Sequence, residues 1–214
     1  MTVLQAVAGF AVLAAVLTVI PGLDTALVLR SALSQGRRHA IATAAGICSG
    51  ALAWGAAAAV GATALLAASE LAFTALKIAG AVYLVGMGLL MLARTFRPEP
   101  AQESQAPRQT GSVAAAYGRG ALTNLLNPKV GVFYIAVIPQ FIPEGVPALP
   151  MGLLLALVHV LESLVWFAAI ITATGFARRW LEGQRARRWI DRITGLVLVG
   201  FGVALGLESR PHTA

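Results

Sequence analysis

Apolar runs of about twenty residues recur from one end of this chain to the other, and a run of that length is what a helix needs to cross a bilayer. Hydrocarbon offers no water to backbone N–H and C=O groups, so such segments must satisfy themselves as helices. Composition agrees. Of 214 residues, 58% are hydrophobic and 12% charged, where a globular domain carries about a quarter charged residues. The expected fold is therefore all-α, a polytopic membrane protein of six transmembrane helices forming a single transmembrane domain over residues 1–214. The single cysteine, Cys48, lies in an apolar run and excludes an internal disulfide. Lys and Arg outnumber Asp and Glu by sixteen to nine, but no basic patch is interleaved with aromatics, so nucleic acid is not an expected partner; the lipid bilayer is.

The first span is expected from about Val3 through a break at Pro21 to about Leu29, followed by a short loop with Arg30, Arg37 and Arg38. Nothing before Arg30 is basic, so the opening run lacks the positive start of a cleaved signal and reads as a mature span. A second span covers about Ala40 to Ala67, Glu70 sits in a tight turn, and a third covers about Phe73 to Ala93. Residues 94–112, rich in Pro, Gln, Ser and charge, read as a flexible cytoplasmic linker between half-repeats of about 1–93 and 113–208. The second half opens with another interrupted run, punctuated by Pro128 and Pro139, and continues with a span from about Leu149 to Thr174. A basic loop with Arg178, Arg179, Arg185, Arg187, Arg188 and Arg192 precedes a short last span, about Ile193 to Leu207.

Positive residues concentrate in the first, third and fifth connections, which puts those loops in the cytoplasm and both termini on the periplasmic or extracellular side. Three spans per half place the halves in opposite orientations. A proline-broken helix opening each half, LTVIPGLD and TNLLNPKV, is the sign expected of an inverted repeat.

The breaks also suggest chemistry. Proline removes a backbone donor and clashes with the preceding turn, and a helix that resumes after it offers unpaired N–H groups and a positive dipole end to an anion. Around the breaks stand Pro21, Gly22 and Asp24 in one half and Asn124, Asn127, Pro128 and Lys129 in the other, with Gln140 further on. A small zwitterion needs both an anion for its ammonium and donors or a cation for its carboxylate, and this set supplies them. Against that stand plainer readings: Asp24 as a solvated helix cap, and Lys129 as a side chain snorkelling to the interface. Lys77, near the end of its span, reads as snorkelling.

Glu162 lies near the middle of its span with His159 one turn before it, so one helix face can carry both. A carboxyl at that depth suits a proton-coupled carrier, which makes Asp24, Glu162 and His159 the proton-coupling candidates, although a structural hydrogen bond explains Glu162 and His159 equally well. Gly46 with Gly50 and Gly202 with Gly206 have the spacing for close helix packing, read as internal; oligomeric state is left open. No nucleophile with a base and no metal constellation is visible, so neither enzyme nor cofactor is expected, and few soft or imidazole ligands are available for metal export. A non-transporting assembly module remains the alternative of another class.

The chain resembles the LysE/RhtB superfamily of bacterial amino-acid exporters. The likeness runs end to end, through Pro21, Gly22 and Asp24, through Gly36 and the GICSG segment, through LKIAGAVYLVGMGLL from Leu76, and through NLLNPKVGVFYIAVIPQF from Asn124. It implies six spans in the bacterial inner membrane and export of amino acids or their derivatives, driven by the proton gradient. Its signature residues fall on Pro21, Gly22, Asp24, Asn127, Pro128 and Lys129. Leu23 stands where the family has a second proline, leaving an N–H that can bond and implying a gentler break.

Overall fold

A computed structural model describes residues 1–20, 22–68, 70–94, 111–173 and 184–207. The described residues are helical almost throughout: α1 (Val3–Val19), α2 (Leu23–Ser34), α3 (Arg37–Ala68), α4 (Glu70–Arg94), α5 (Val113–Leu125), α6 (Pro128–Val137), a 3-10 turn (Ile138–Phe141), α7 (Ala148–Thr172) and α8 (Gln184–Leu207). Within these, two segments are long and apolar enough to cross a membrane, Arg37–Gly61 and Ala148–Thr172. Two further candidates arise if each bent pair is one span: α1 with α2, at 52°, and α5 with the helix after Asn127, at 57°. The protein is thus an all-helical membrane protein with two to four candidate spans.

Local chemistry explains the boundaries. Thr2 caps α1 in a reciprocal capping box with Gln5. Gly36 takes φ +87° and donates its N–H to Ser31 O at 3.1 Å, closing α2 in the left-handed turn that glycine adopts without strain. Ser112 caps α5, accepting from Ala115 N. Two expected boundaries move. Glu70 is the first residue of α4 rather than part of a turn, because nothing in ELAFTAL breaks a helix. The last helix is not short. Arg185, Arg187, Arg188 and Arg192, expected in a loop, lie within α8, since RARRWIDR has good helix formers and an amphipathic repeat. The linker over 95–110 and Arg178 and Arg179 lie outside the described residues, as do the side chains of Glu70 and Lys77.

Packing is organised by α3, which lies along both α5 and α7, while α4 pairs with α8. Missing side chains make these approaches possible. A Cβ on Gly46 would overlap the backbone oxygen of Tyr117, and one on Gly120 would overlap that of Thr43, so α3 and α5 touch backbone to backbone. Gly55 and Gly152 make room for the methyls of Ala156 and Ala59 between α3 and α7, and Gly88, Gly195 and Gly202 bring the backbones of α4 and α8 together. Gly46, Gly50 and Gly202 are buried in these contacts, whereas Gly206, expected to pack inside as well, is exposed, and a Cβ there would meet only Ala81 Cβ at 3.7 Å.

Two apolar clusters result. One joins Phe10 and Leu17 of α1 with Phe133, Tyr134 and Val137 of α6 and Leu155 of α7; the other joins Val28 of α2 with Ala40, Ala44 and Ile47 of α3 and Phe167, Ile170 and Ile171 of α7. Leu4, Val12, Leu161 and Val165 are exposed at the outer surface, as lipid-facing positions should be.

Candidate functional site

Each break leaves a specific carbonyl without its helical partner. In an α-helix the oxygen of residue i accepts from the N–H of residue i+4, and proline has none. Pro21 therefore deprives Leu17, and Pro128 deprives Asn124. Both carbonyls are taken up by side chains from the opposite half of the chain. Lys129 Nζ donates to Leu17 O at 3.3 Å. Asn124 O accepts from Trp54 Nε1 at 3.4 Å, and also from Asn127 N at 3.0 Å. Pro21 itself lies outside the described residues.

Side chains bring the two breaks together. Asp24 stands in the first turn of α2, where a carboxylate complements the helix dipole. Asn124 Nδ2 donates to Asp24 Oδ2 at 2.8 Å, and Asn127 Nδ2 approaches Asp24 Oδ1 at 3.5 Å. Asn127 also caps α6, its Oδ1 accepting from Lys129 N at 3.1 Å, so one side chain finishes the second helix and touches the acid of the first. Asn124 is 1% exposed and Asn127 5%. Asp24 is half-buried among these partners rather than free in solvent. Lys129, also half-buried, turns inward to the first break rather than outward along the surface.

Between the breaks lies a cavity of about 40 Å³. The first break contributes Leu17, Thr18, Gly22 and Asp24 to its wall, and the second Asn124, Asn127 and Lys129. The flanking helices close it, α3 with Ile47, Cys48 and Ala51, and α7 with His159, Ser163 and Phe167. His159 is held by a buried 2.7 Å hydrogen bond between its Nδ1 and the hydroxyl of Tyr134. Two buried oxygens in the wall, Thr18 Oγ1 and Asn124 Oδ1, have no partner among the described residues. Asn124 also depends on Gly50, because a Cβ there would stand 2.7 Å from Asn124 Oδ1.

Of the residues singled out from sequence, Gly22, Asp24, Asn124, Asn127, Lys129 and His159 meet at this cavity; Pro128 opens α6 beside it. Glu162 and Gln140 are not in its lining; Glu162 Oε2 is buried without a partner among the described residues. Sequence reasoning passed over Thr18, Thr25, Ser163 and Phe167, which line the cavity, and Trp54 and Trp166, which bond to the breaks. Small hydroxyl residues in apolar helices carry no distinctive spacing. The tryptophans did leave a signal, since Trp54 and Trp166 sit at nearly the same register in α3 and α7, the long helix that comes after the broken pair in each half.

Comparison with known proteins fits this architecture. The LysE type translocator family matches residues 15–209. An uncharacterized membrane protein, YrhP, of Bacillus subtilis is 29% identical over 201 residues, covering 92% of this chain and 96% of its own. A threonine efflux protein of Salmonella typhimurium is 28% identical over 185 residues, covering 86% of this chain and 89% of its own. A homoserine/homoserine lactone efflux protein of the same organism is 28% identical over 189 residues, covering 88% and 90%. No solved structure gives a significant match. The chain belongs to the LysE type translocator family, and so is a multi-pass membrane transporter rather than an enzyme.

Proposed function

We propose that this protein exports small zwitterionic amino acids, of the threonine and homoserine kind named for its relatives, from the bacterial cytoplasm by proton antiport. The observation that carries the reading is the junction of Asp24 with Asn124 across the two helix breaks, at a cavity that also holds the Lys129 ammonium. The roles follow from charge. Asp24, with the broken turn at Gly22, takes the substrate ammonium, while the start of α6 at Pro128, with Asn127 and Lys129, takes the carboxylate. Exchange of a proton falls to Asp24, with Glu162 and His159 as further candidates.

A cavity near 150 Å³ is what it takes to hold benzene, so at about 40 Å³ this one must widen to admit an amino acid. In this reading, loading requires the helices around the breaks to part.

The architecture proposed for that movement is six spans in two inverted halves, within one domain, with both termini outside the cytoplasm. Packing supports it: α3 lies on α7 and α4 on α8, each on its counterpart, while α5 lies on α3 as α1 lies on α7. Two halves rocking about such an axis would expose the cavity alternately.

Efflux from vesicles loaded with a panel of labelled amino acids, with and without a proton gradient, tests the function. Gradient-dependent loss of hydroxylated or other small neutral amino acids is the expected result. Export unaffected by collapsing the gradient would remove the antiport reading, and no export of any amino acid would remove the substrate class.

A further inference from the structure

Trp54 and Trp166 occupy matching places in the two halves, eighteenth of α3 and nineteenth of α7, counting from Arg37 and Ala148. Each hooks the broken helix of the other half. Trp54 Nε1 donates at 3.4 Å to Asn124 O, the carbonyl orphaned by Pro128, and its ring lies on α6 so closely that a Cβ on Gly131 would stand 2.8 Å from it. Trp166 Nε1 donates at 3.4 Å to Thr25 Oγ1, next to Asp24 in the resumed helix of the first half.

The two contacts bracket the cavity. α3 and α7 run antiparallel, with Gly55 against Gly152 and Ala156 towards one end, and Ala40 and Ala44 clustered with Phe167 and Ile170 towards the other. Ile47, Cys48 and Ala51 of α3 and His159, Ser163 and Phe167 of α7 line the cavity from one of these points to the other. Trp54 is about one turn beyond Ala51 in the first direction, and Trp166 stands beside Phe167, the last residue of α7 to line the cavity, in the second.

We propose that Trp54 and Trp166 are paired latches, each holding one broken helix against its flanking span and thereby closing one end of the substrate cavity. They are positioning residues: Trp166 sets the turn that carries Asp24, and Trp54 the turn that carries Asn124. Releasing one frees a single break and opens the cavity towards a single face of the membrane. The inference rests on the carrier reading, since a protein without alternating access has no use for two opposed closures.

Cys48 supplies the test, because it lines the cavity, is 7% exposed and is the chain's single cysteine. Its reaction with a membrane-impermeant maleimide is measured in right-side-out and inside-out vesicles for wild type, Trp54→Phe and Trp166→Phe. Phenylalanine keeps an aromatic ring and loses the N–H. Each variant should raise the labelling rate about fivefold, the effect of losing one hydrogen bond of ordinary worth, and the two should do so from opposite faces. Thr25→Val removes the acceptor of Trp166 and should reproduce Trp166→Phe. Gly131→Ala dislodges the Trp54 ring and should reproduce Trp54→Phe, so the test survives if a tryptophan variant fails to fold. Faster labelling from the same face in both, or unchanged labelling in all four variants, overturns the proposal. No substrate is involved, so a failure of the latches is distinguishable from a failure of the amino-acid reading, which efflux measures separately.

Discussion

Asn124 Nδ2 donates to Asp24 Oδ2 at 2.8 Å across one hundred residues of sequence, joining the end of α5 to the start of α2. This bond ties the two broken helices into one site, and its donor has almost no exposed surface. Replacing Asn124 by Ala removes the close donor and leaves Asp24 with the longer contact from Asn127. Because Asn124 donates to a carboxylate, the loss should cost about 1.5–3 kcal/mol. Export should fall at least tenfold, and thermal unfolding of the purified protein in detergent, with transport by the reconstituted variant, checks both.

Gly50 makes room for that asparagine. In Gly50→Ala the new methyl would press on Asn124 Oδ1 and Cβ, at 2.7 and 3.0 Å, and turn the amide away from Asp24. The expected outcome is a raised KM for export with the protein still folded. An unchanged KM would show that the amide's position does not matter to substrate.

Lys129 carries the corresponding weight at the first break, where it donates to Leu17 O. Lys129→Met keeps the length of the side chain and removes the charge. Leaving that carbonyl without its ammonium should cost about 1–3 kcal/mol, and loss of the cation should weaken recognition of the substrate carboxylate. A zwitterion should lose more affinity than an amine lacking the carboxylate, measured as inhibition of export by each.

Backbone contact between α3 and α5 gives a stability prediction independent of function. Gly46→Ala would drive a methyl into Tyr117 O, costing about 1–3 kcal/mol by overpacking, whereas Gly118→Ala, with nothing within 4 Å, should be neutral or slightly stabilising. Unfolding temperatures of the two variants should separate clearly.

Much of this was legible in the residues themselves, and the reasons differ from place to place. Pro128 and Asn127 announce a helix start because one lacks an N–H and the other caps, and α6 begins there. Pro-Gly before Asp24 announces a break for the same reason, and α1 and α2 bend there by 52°. Arg185 to Arg192 were legible as charge but not as structure, since a basic amphipathic helix and a basic loop share a composition; here they extend α8. Which chemistry gathers at the cavity is a matter of long-range packing. Nothing in the spacing of Thr25 or Ser163 marks them as neighbours of a break, the matched register of Trp54 and Trp166 does not say what they touch, and only the close approach of glycine-lined helices brings them there. Gly46 and Gly50 could be read as a packing pair, but not that one meets the backbone of α5 and the other seats Asn124.

The central claim is that Asp24, held where the two breaks meet, receives the substrate ammonium, and counterflow in proteoliposomes tests it most directly. Vesicles preloaded with unlabelled threonine or homoserine take up the labelled amino acid if the site binds and reorients, without need of a proton gradient. Wild type is expected to show robust counterflow, and Asp24→Asn, with fold and amount matched, to lose it by tenfold or more. Counterflow at the wild-type rate in Asp24→Asn would contradict the account and reduce Asp24 to a structural partner of Asn124.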